Sequence, residues 1–111
     1  MSEISYDDFA KVDVRVGRIV AVDDFSQARK PAWKLRIDFG PLGVKSSSAQ
    51  ITKLYAKEDL TGKLVLAVVN FPPRQIANFF SEVLTLGIDV APGEIALIHP
   101  DRDVPLGSRM F

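Results

Sequence analysis

Between Lys11 and Val22 the sequence reads KVDVRVGRIVAV, and this stretch limits the fold more than any other. Val12, Val14 and Val16 alternate with Asp13 and Arg15, the period of a strand with one face on a core, and Gly17 then interrupts before Ile19, Val20 and Val22 resume. A glycine at such a break predicts a bulge at Gly17. A long strand bent in this way suits a small closed barrel.

The remaining segments supply its partners. WKLRIDFGPLGVKSSS alternates Trp33, Leu35, Ile37 and Phe39 with Lys34, Arg36 and Asp38, then turns at Gly40 to Gly43 into a shorter strand from Val44. This predicts a hairpin with one apolar and one mainly basic face. Ser47 to Gln50 has the S-x-x-Q spacing of a capping box, and Ile51, Leu54 and Tyr55 fall on one side of the helix expected after it, with Gly62 as its stop. KLVLAVVN is a nearly continuous apolar strand; EVLTLGI, with Leu84, Leu86 and Ile88 in phase, and EIALI at 94–98 follow. At the start, Ser5 is placed as the N-cap of a short helix, Asp8 as its capping-box partner, and Ile4 and Phe9 as a hydrophobic staple.

Five or six strands with a helix between the third and fourth give the order of an all-β, five-stranded OB-fold, a Greek-key barrel, preceded here by a short N-terminal helix. The expected organisation is one domain over residues 1–111 with short terminal extensions. OB-folds bind oligomeric ligands on their second and third strands and flanking loops. Here those strands are the basic hairpin.

Charge follows the same division. The chain is neutral overall, yet residues 26–57 carry Arg29, Lys30, Lys34, Arg36, Lys45, Lys53 and Lys57 against Asp38 alone. If these side chains converge they form a surface for phosphates or acidic chains; if they do not, they are a solvated face. No cysteine is present, so disulfides and thiolate metal sites are excluded, and His99 cannot form a zinc cluster alone. Ser46 to Ser48 have no His–Asp pair to activate them, and no phosphate-cradling glycine loop occurs. Neither catalysis, metal nor cofactor is expected. No apolar run approaches the roughly 20 residues of a membrane helix, and MSEISYDDFAK lacks the features of a secretion signal. A cytoplasmic protein without membrane insertion is expected.

NFPPRQIANFFSEVLTLG, residues 70–87, sits between strand-like runs where a polar turn is cheaper to solvate. Pro72 and Pro73 fix two φ angles and remove two amide donors, which stiffens the segment and lowers its entropic cost of binding. Phe71, Phe79 and Phe80 supply apolar surface for unfolded segments, and Arg74 supplies donors for peptide carbonyls, carboxylates or phosphate. The alternative is that Phe79 and at least one other ring cap the open end of the barrel. Trp33 is expected inside, at the start of its strand, and His99 in a hydrogen-bonded structural role.

Together KVDVRVGRIVAV, ARKPAWKLRIDFG, KSSSAQIT, GKLVLAVVNFPPRQIANFFSEVLTLG and PDRDVPLGSRMF resemble the CsaA family of bacterial export-related chaperones. That family is part of a wider group of tRNA-binding OB domains also appended to methionyl- and phenylalanyl-tRNA synthetases. The resemblance implies a homodimer joined largely through elements outside the barrel, which holds unfolded or exported polypeptides without ATP. It also brings tRNA and the secretion motor protein into view as partners. In CsaA-like chains the 70–87 segment reads NFPPRxIAxFxSEVLxLG, and this sequence fills that pattern. The resemblance places Lys34, Arg36, Lys45, Ser47, Ser48, Gln50 and Arg74 where relatives contact tRNA. KSSSAQI replaces the V-S-G-like segment of synthetase-linked domains, and NFPPRQIANFFSE replaces a Lys-Pro-Arg run, so this chain brings less positive charge to the loop.

Overall fold

In the computed structural model, which describes all 111 residues, an eleven-residue strand forms the hub. This strand, β1 (Val14–Asp24), pairs antiparallel with β2 (Trp33–Asp38) along its second half and with β4 (Leu64–Val68) along its first. With β3 (Val44–Ala49) beside β2 and the two-residue β7 (Leu84–Thr85) beside β4, the sheet order is β3-β2-β1-β4-β7. Two small hairpins, β5 (Arg74–Ile76) with β6 (Phe79–Ser81) and β8 (Gly87–Ala91) with β9 (Glu94–Leu97), lie outside this sheet. Helices are single turns: α1 (Tyr6–Ala10) and α2 (Lys57–Leu60), the latter between β3 and β4. This is the expected OB-type barrel, nearly closed.

Side chains as well as backbone close it. The Glu82 N–H donates to the Ser46 carbonyl at 2.9 Å, and the Ser46 N–H returns a bond to Glu82 Oε1 at 2.9 Å. The Ser48 N–H donates to Ser81 Oγ at 3.0 Å, and the Ser47 and Thr85 hydroxyls meet at 2.8 Å inside the barrel. Two apolar layers result. Ile19, Leu35, Ile37, Phe39, Leu60 and Val65 fill the interior, while Val14, Val16, Leu66 and Val68 pack outside it under Leu86, Ile98, Val104 and Met110. β4 is covered on both faces, which explains the unbroken apolar run KLVLAVVN.

The predicted bulge moves. Pairing of β1 with β4 runs unbroken through Gly17, and the register shift falls between Ile19 and Ala21, where Val20 turns outward. Gly17 serves close packing: a Cβ there would lie 2.5 Å from Ile37 Cγ2 and 2.7 Å from Phe39 Cε1.

The helix predicted from Ser47 is absent. Ser46 to Ser48 continue β3 because β2 and the Ser81–Glu82 segment satisfy their backbone groups better than a local cap does. Helix remains only at Lys57–Leu60, where Asp59 Oδ2 accepts from the Ala56 N–H, and Gly62 follows in the left-handed region. The phase of EVLTLGI is also corrected. Glu82 is fixed to β3, so Val83 turns inward while Leu84 and Ile88 remain exposed, and Gly87 starts a separate hairpin. At the N-terminus the capping box forms, with the Asp8 N–H on Ser5 Oγ at 3.1 Å, but Ile4 stays exposed and α1 buries none of its residues.

The C-terminal tail runs along the free edge of β1. Val16 donates to the Ser108 carbonyl, and Gly107 and Met110 donate to the Val16 and Val14 carbonyls. The pairing is limited to an isolated bridge between Arg15 and Arg109, beyond Pro100 and Pro105. No helix is long and apolar enough to cross a membrane.

Candidate functional site

The segment between β4 and β7 is a braced hairpin rather than an open loop. Asn70 anchors its entry, accepting from the Asp13 N–H at 3.0 Å and donating to the Lys11 carbonyl at 2.7 Å. Pro72 and Pro73 follow, and β5 and β6 then pair around a turn at Ala77, the one non-glycine residue with positive φ (54°). Strain of this kind, about 1 kcal/mol, persists where the surroundings enforce it. The base of the hairpin is fixed by the Ser46 hydroxyl on the Phe80 carbonyl at 2.6 Å and by Ser81 on the Ser48 N–H.

This brace sorts the three phenylalanines. Phe71 and Phe80 are 51% and 54% exposed, whereas Phe79 lies half-buried, edge to face against buried Phe25 at 5.3 Å. Phe79 therefore packs on Phe25 at the β1–β2 connection, and the other two remain on the surface. Trp33 packs against the core as expected and donates to the Tyr55 carbonyl at 3.0 Å. His99 is exposed, with Nδ1 2.9 Å from the Pro100 carbonyl oxygen.

Two clefts flank the hairpin. One, about 720 Å³, is lined by Arg29 and Lys30 from the β1–β2 connection, by Arg74 and Ala77 from the hairpin, and by Ser48 and Gln50 at the end of β3. No acidic residue lines it, and Arg29, Lys30 and Arg74 have no ion-pair partner. The other, about 460 Å³, is bordered by Phe71, Pro72, Val83 and Leu84, with Glu82 at its edge. Arg74 and Ser48 line both.

The hairpin cations do not form one row. Arg36 is exposed, beside Ser46 in the register, while Lys45 pairs with Ile37 on the other face of the pleat. Glu82 lies near both. Its carboxyl is held below its ordinary value mainly by the hydrogen bond from the Ser46 N–H, with smaller contributions from the Ser46 hydroxyl, Lys45 and Arg36. Lys34 rests over the Phe25 and Phe79 rings at 4.8 and 5.4 Å. Ser47, expected on the tRNA surface, is fully buried with its hydroxyl on Thr85, because the pleat turns it inward opposite Leu35. Arg29 and Lys30 were visible in the sequence only as part of a basic third. Nothing local marked them as neighbours of Arg74.

A third surface lies at the termini. Tyr6, Phe9, Val12, Met110 and Phe111 enclose a pocket of about 290 Å³, with Arg109 at its edge. The charges beside it are internally paired: Asp13 Oδ1 accepts from Arg15 Nε at 2.6 Å and lies 3.5 Å from Arg109 Nε.

A barrel of this order, with a proline-braced hairpin beside its second and third strands, defines a class of binding domain. The model of the putative tRNA binding domain family matches residues 14–109, and the chain belongs to that family. Within it the chain groups with the CsaA chaperones. The crystal structure of chaperone CsaA from Bacillus anthracis shares 45% identity at a TM-score of 0.95, over 99% of this chain and 100% of that one. The CsaA chaperone protein from Picrophilus torridus shares 52% at 0.90, over 98% and 100%. A methionine–tRNA ligase of Porphyromonas gingivalis is 36% identical over 97% of this chain but only 16% of the ligase, so the chain spans about one sixth of that curated relative.

Proposed function

We propose that this chain is a non-catalytic, cytoplasmic chaperone of the protein export pathway that holds extended, unfolded preprotein segments without ATP. The observation that carries this reading is the exposure of Phe71 and Phe80 on a hairpin too well braced to fold them inward. A ligand that buries them gains apolar contact at low ordering cost. Arg74, at the border of the apolar cleft, supplies donors to peptide carbonyls or acidic side chains. The terminal pocket of Tyr6, Phe9, Val12, Met110 and Phe111 is the surface through which we propose that two copies pair. The secretion motor protein is a proposed acceptor of the cargo.

A second reading, tRNA binding, is favoured by one observation: Arg29, Lys30 and Arg74 line a single cleft that has no acidic side chain. Salt separates the two. Titration of a labelled unfolded preprotein and of labelled tRNA, each at two salt concentrations, tests both on one sample. Apolar capture persists or strengthens as salt rises, and phosphate binding falls steeply. A preprotein affinity that collapses with salt would overturn the chaperone reading of the aromatic surface.

A further inference from the structure

The Lys34 ammonium lies 4.8 Å from the centroid of the Phe25 ring and 5.4 Å from that of Phe79, and the two rings meet edge to face at 5.3 Å. These side chains belong to three different elements: β2, the β1–β2 connection and β6. We propose that Lys34 is a positioning residue, a cationic clamp that joins the β1–β2 connection to the β5–β6 hairpin and sets the spacing of Arg29 and Lys30 from Arg74. It acts on the anion-binding cleft without itself pairing with a phosphate. The inference rests on the tRNA reading of that cleft.

Three observations support it. Residues 25–31 form only local hydrogen bonds, the Ala28 N–H to the Phe25 carbonyl and Ser26 Oγ to Gln27, so this connection depends on side-chain packing to hold its place. Its buried anchors are Phe25 and Ala32, and Phe25 is the one that meets the hairpin, through Phe79. The β5–β6 strand pair itself is hydrogen-bonded to the barrel only near its base, at Ser46 and Ser48, and Phe79 links it to the β1–β2 connection through Phe25. A cation shared by both rings strengthens the contact between the two elements that carry Arg29, Lys30 and Arg74 to the cleft. Lys34 alone among the bases of residues 26–57 occupies this place.

The test uses Lys34→Met, which keeps the aliphatic stem, and Lys34→Arg, which keeps a cation over the rings. Fluorescently labelled bulk tRNA is titrated over a salt series. The methionine variant is expected to bind about fivefold more weakly, as the loss of two cation–π contacts implies, with an unchanged slope of log K against log salt. The arginine variant restores affinity. A slope shallower by about 0.7–0.9 in Lys34→Met means a lost phosphate contact and overturns the proposal. Unchanged affinity overturns it as well.

Limited trypsin digestion of the free protein gives an independent readout. Cleavage after Arg29 is expected to accelerate in Lys34→Met and to return to the wild-type rate in Lys34→Arg; equal rates in all three overturn the clamp. If wild-type protein does not bind tRNA, the reading of the cleft fails while digestion still decides the clamp. If Lys34→Met does not fold, Lys34→Gln decides it: faster cleavage after Arg29 supports the clamp and wild-type cleavage overturns it.

Discussion

The hairpin beside the barrel and the surface made by the two chain ends both display aromatic rings, but in different company. At the hairpin, Phe71 borders one cleft together with Arg74, which has no ionic partner and also lines a second cleft with Arg29 and Lys30, while Phe80 stands exposed on the other face, opposite Gln75. At the termini, Tyr6, Phe9 and Phe111 stand next to an Asp13 whose carboxylate is already engaged by Arg15 and Arg109. Free charge beside apolar surface suits a changing, partly polar ligand. Apolar surface with its charges paired internally suits a fixed apolar partner, which is why a second copy of the chain is the partner proposed for the terminal surface.

The comparison breaks most visibly at the termini. Tyr6→Asp combined with Phe111→Asp is expected to give a monomer by light scattering, since both side chains are exposed in the single chain and their charge opposes pairing. If one tRNA engages both copies, its affinity falls about 100-fold with the lost bivalency, whereas per-site peptide binding changes little. A variant that remains dimeric would remove the terminal surface from the comparison.

At the hairpin, Phe71→Ala with Phe80→Ala is expected to weaken preprotein binding about tenfold, with a melting temperature within about 3 °C of wild type because both rings are half exposed. A large drop in melting temperature would return these rings to the core. Arg74→Gln sharpens the contrast between the clefts. It is expected to weaken tRNA about fivefold and to reduce the salt slope by about 0.7–0.9, while preprotein binding loses less and keeps its salt response. Equal losses of both ligands would mean one overlapping site.

The smallest effect concerns the seam that holds the hairpin to the barrel. The Glu82 carboxyl has a lowered folded pKa, caused first by the Ser46 N–H, so its ionised form stabilises the native state. That contribution is present above the ordinary value of 4.5 and is lost as pH falls through the lower folded value. Glu82→Gln is expected to cost about 1 kcal/mol at neutral pH, measured by denaturant unfolding, with the difference from wild type shrinking at pH 3. A constant difference across that range would mean that the charge of Glu82 is not what fastens the seam.

The local features of the fold were legible. Alternation in β1 and β2, the turn at Gly40 to Gly43 and the Ser5–Asp8 capping box each depend on residues a few positions apart, and each forms. Where local signals failed, a distant partner prevailed. Ser47 to Gln50 has the spacing of a helix start, yet β2 and residues 81 and 82 take the same backbone groups into the barrel. Gly17 has the look of a bulge, yet it makes room for Ile37 and Phe39.

The sequence by itself determined the OB-type barrel and, through its long motifs, the family. Tertiary structure alone decided which rings are free and which cations converge. Phe79 is half-buried because Phe25 reaches it, and Arg74 shares a cleft with Arg29 and Lys30 because Ser46 and Glu82, 36 residues apart, close the barrel between them. Periodicity records which face of its own strand a side chain occupies; which distant side chains it meets depends on how the chain closes on itself.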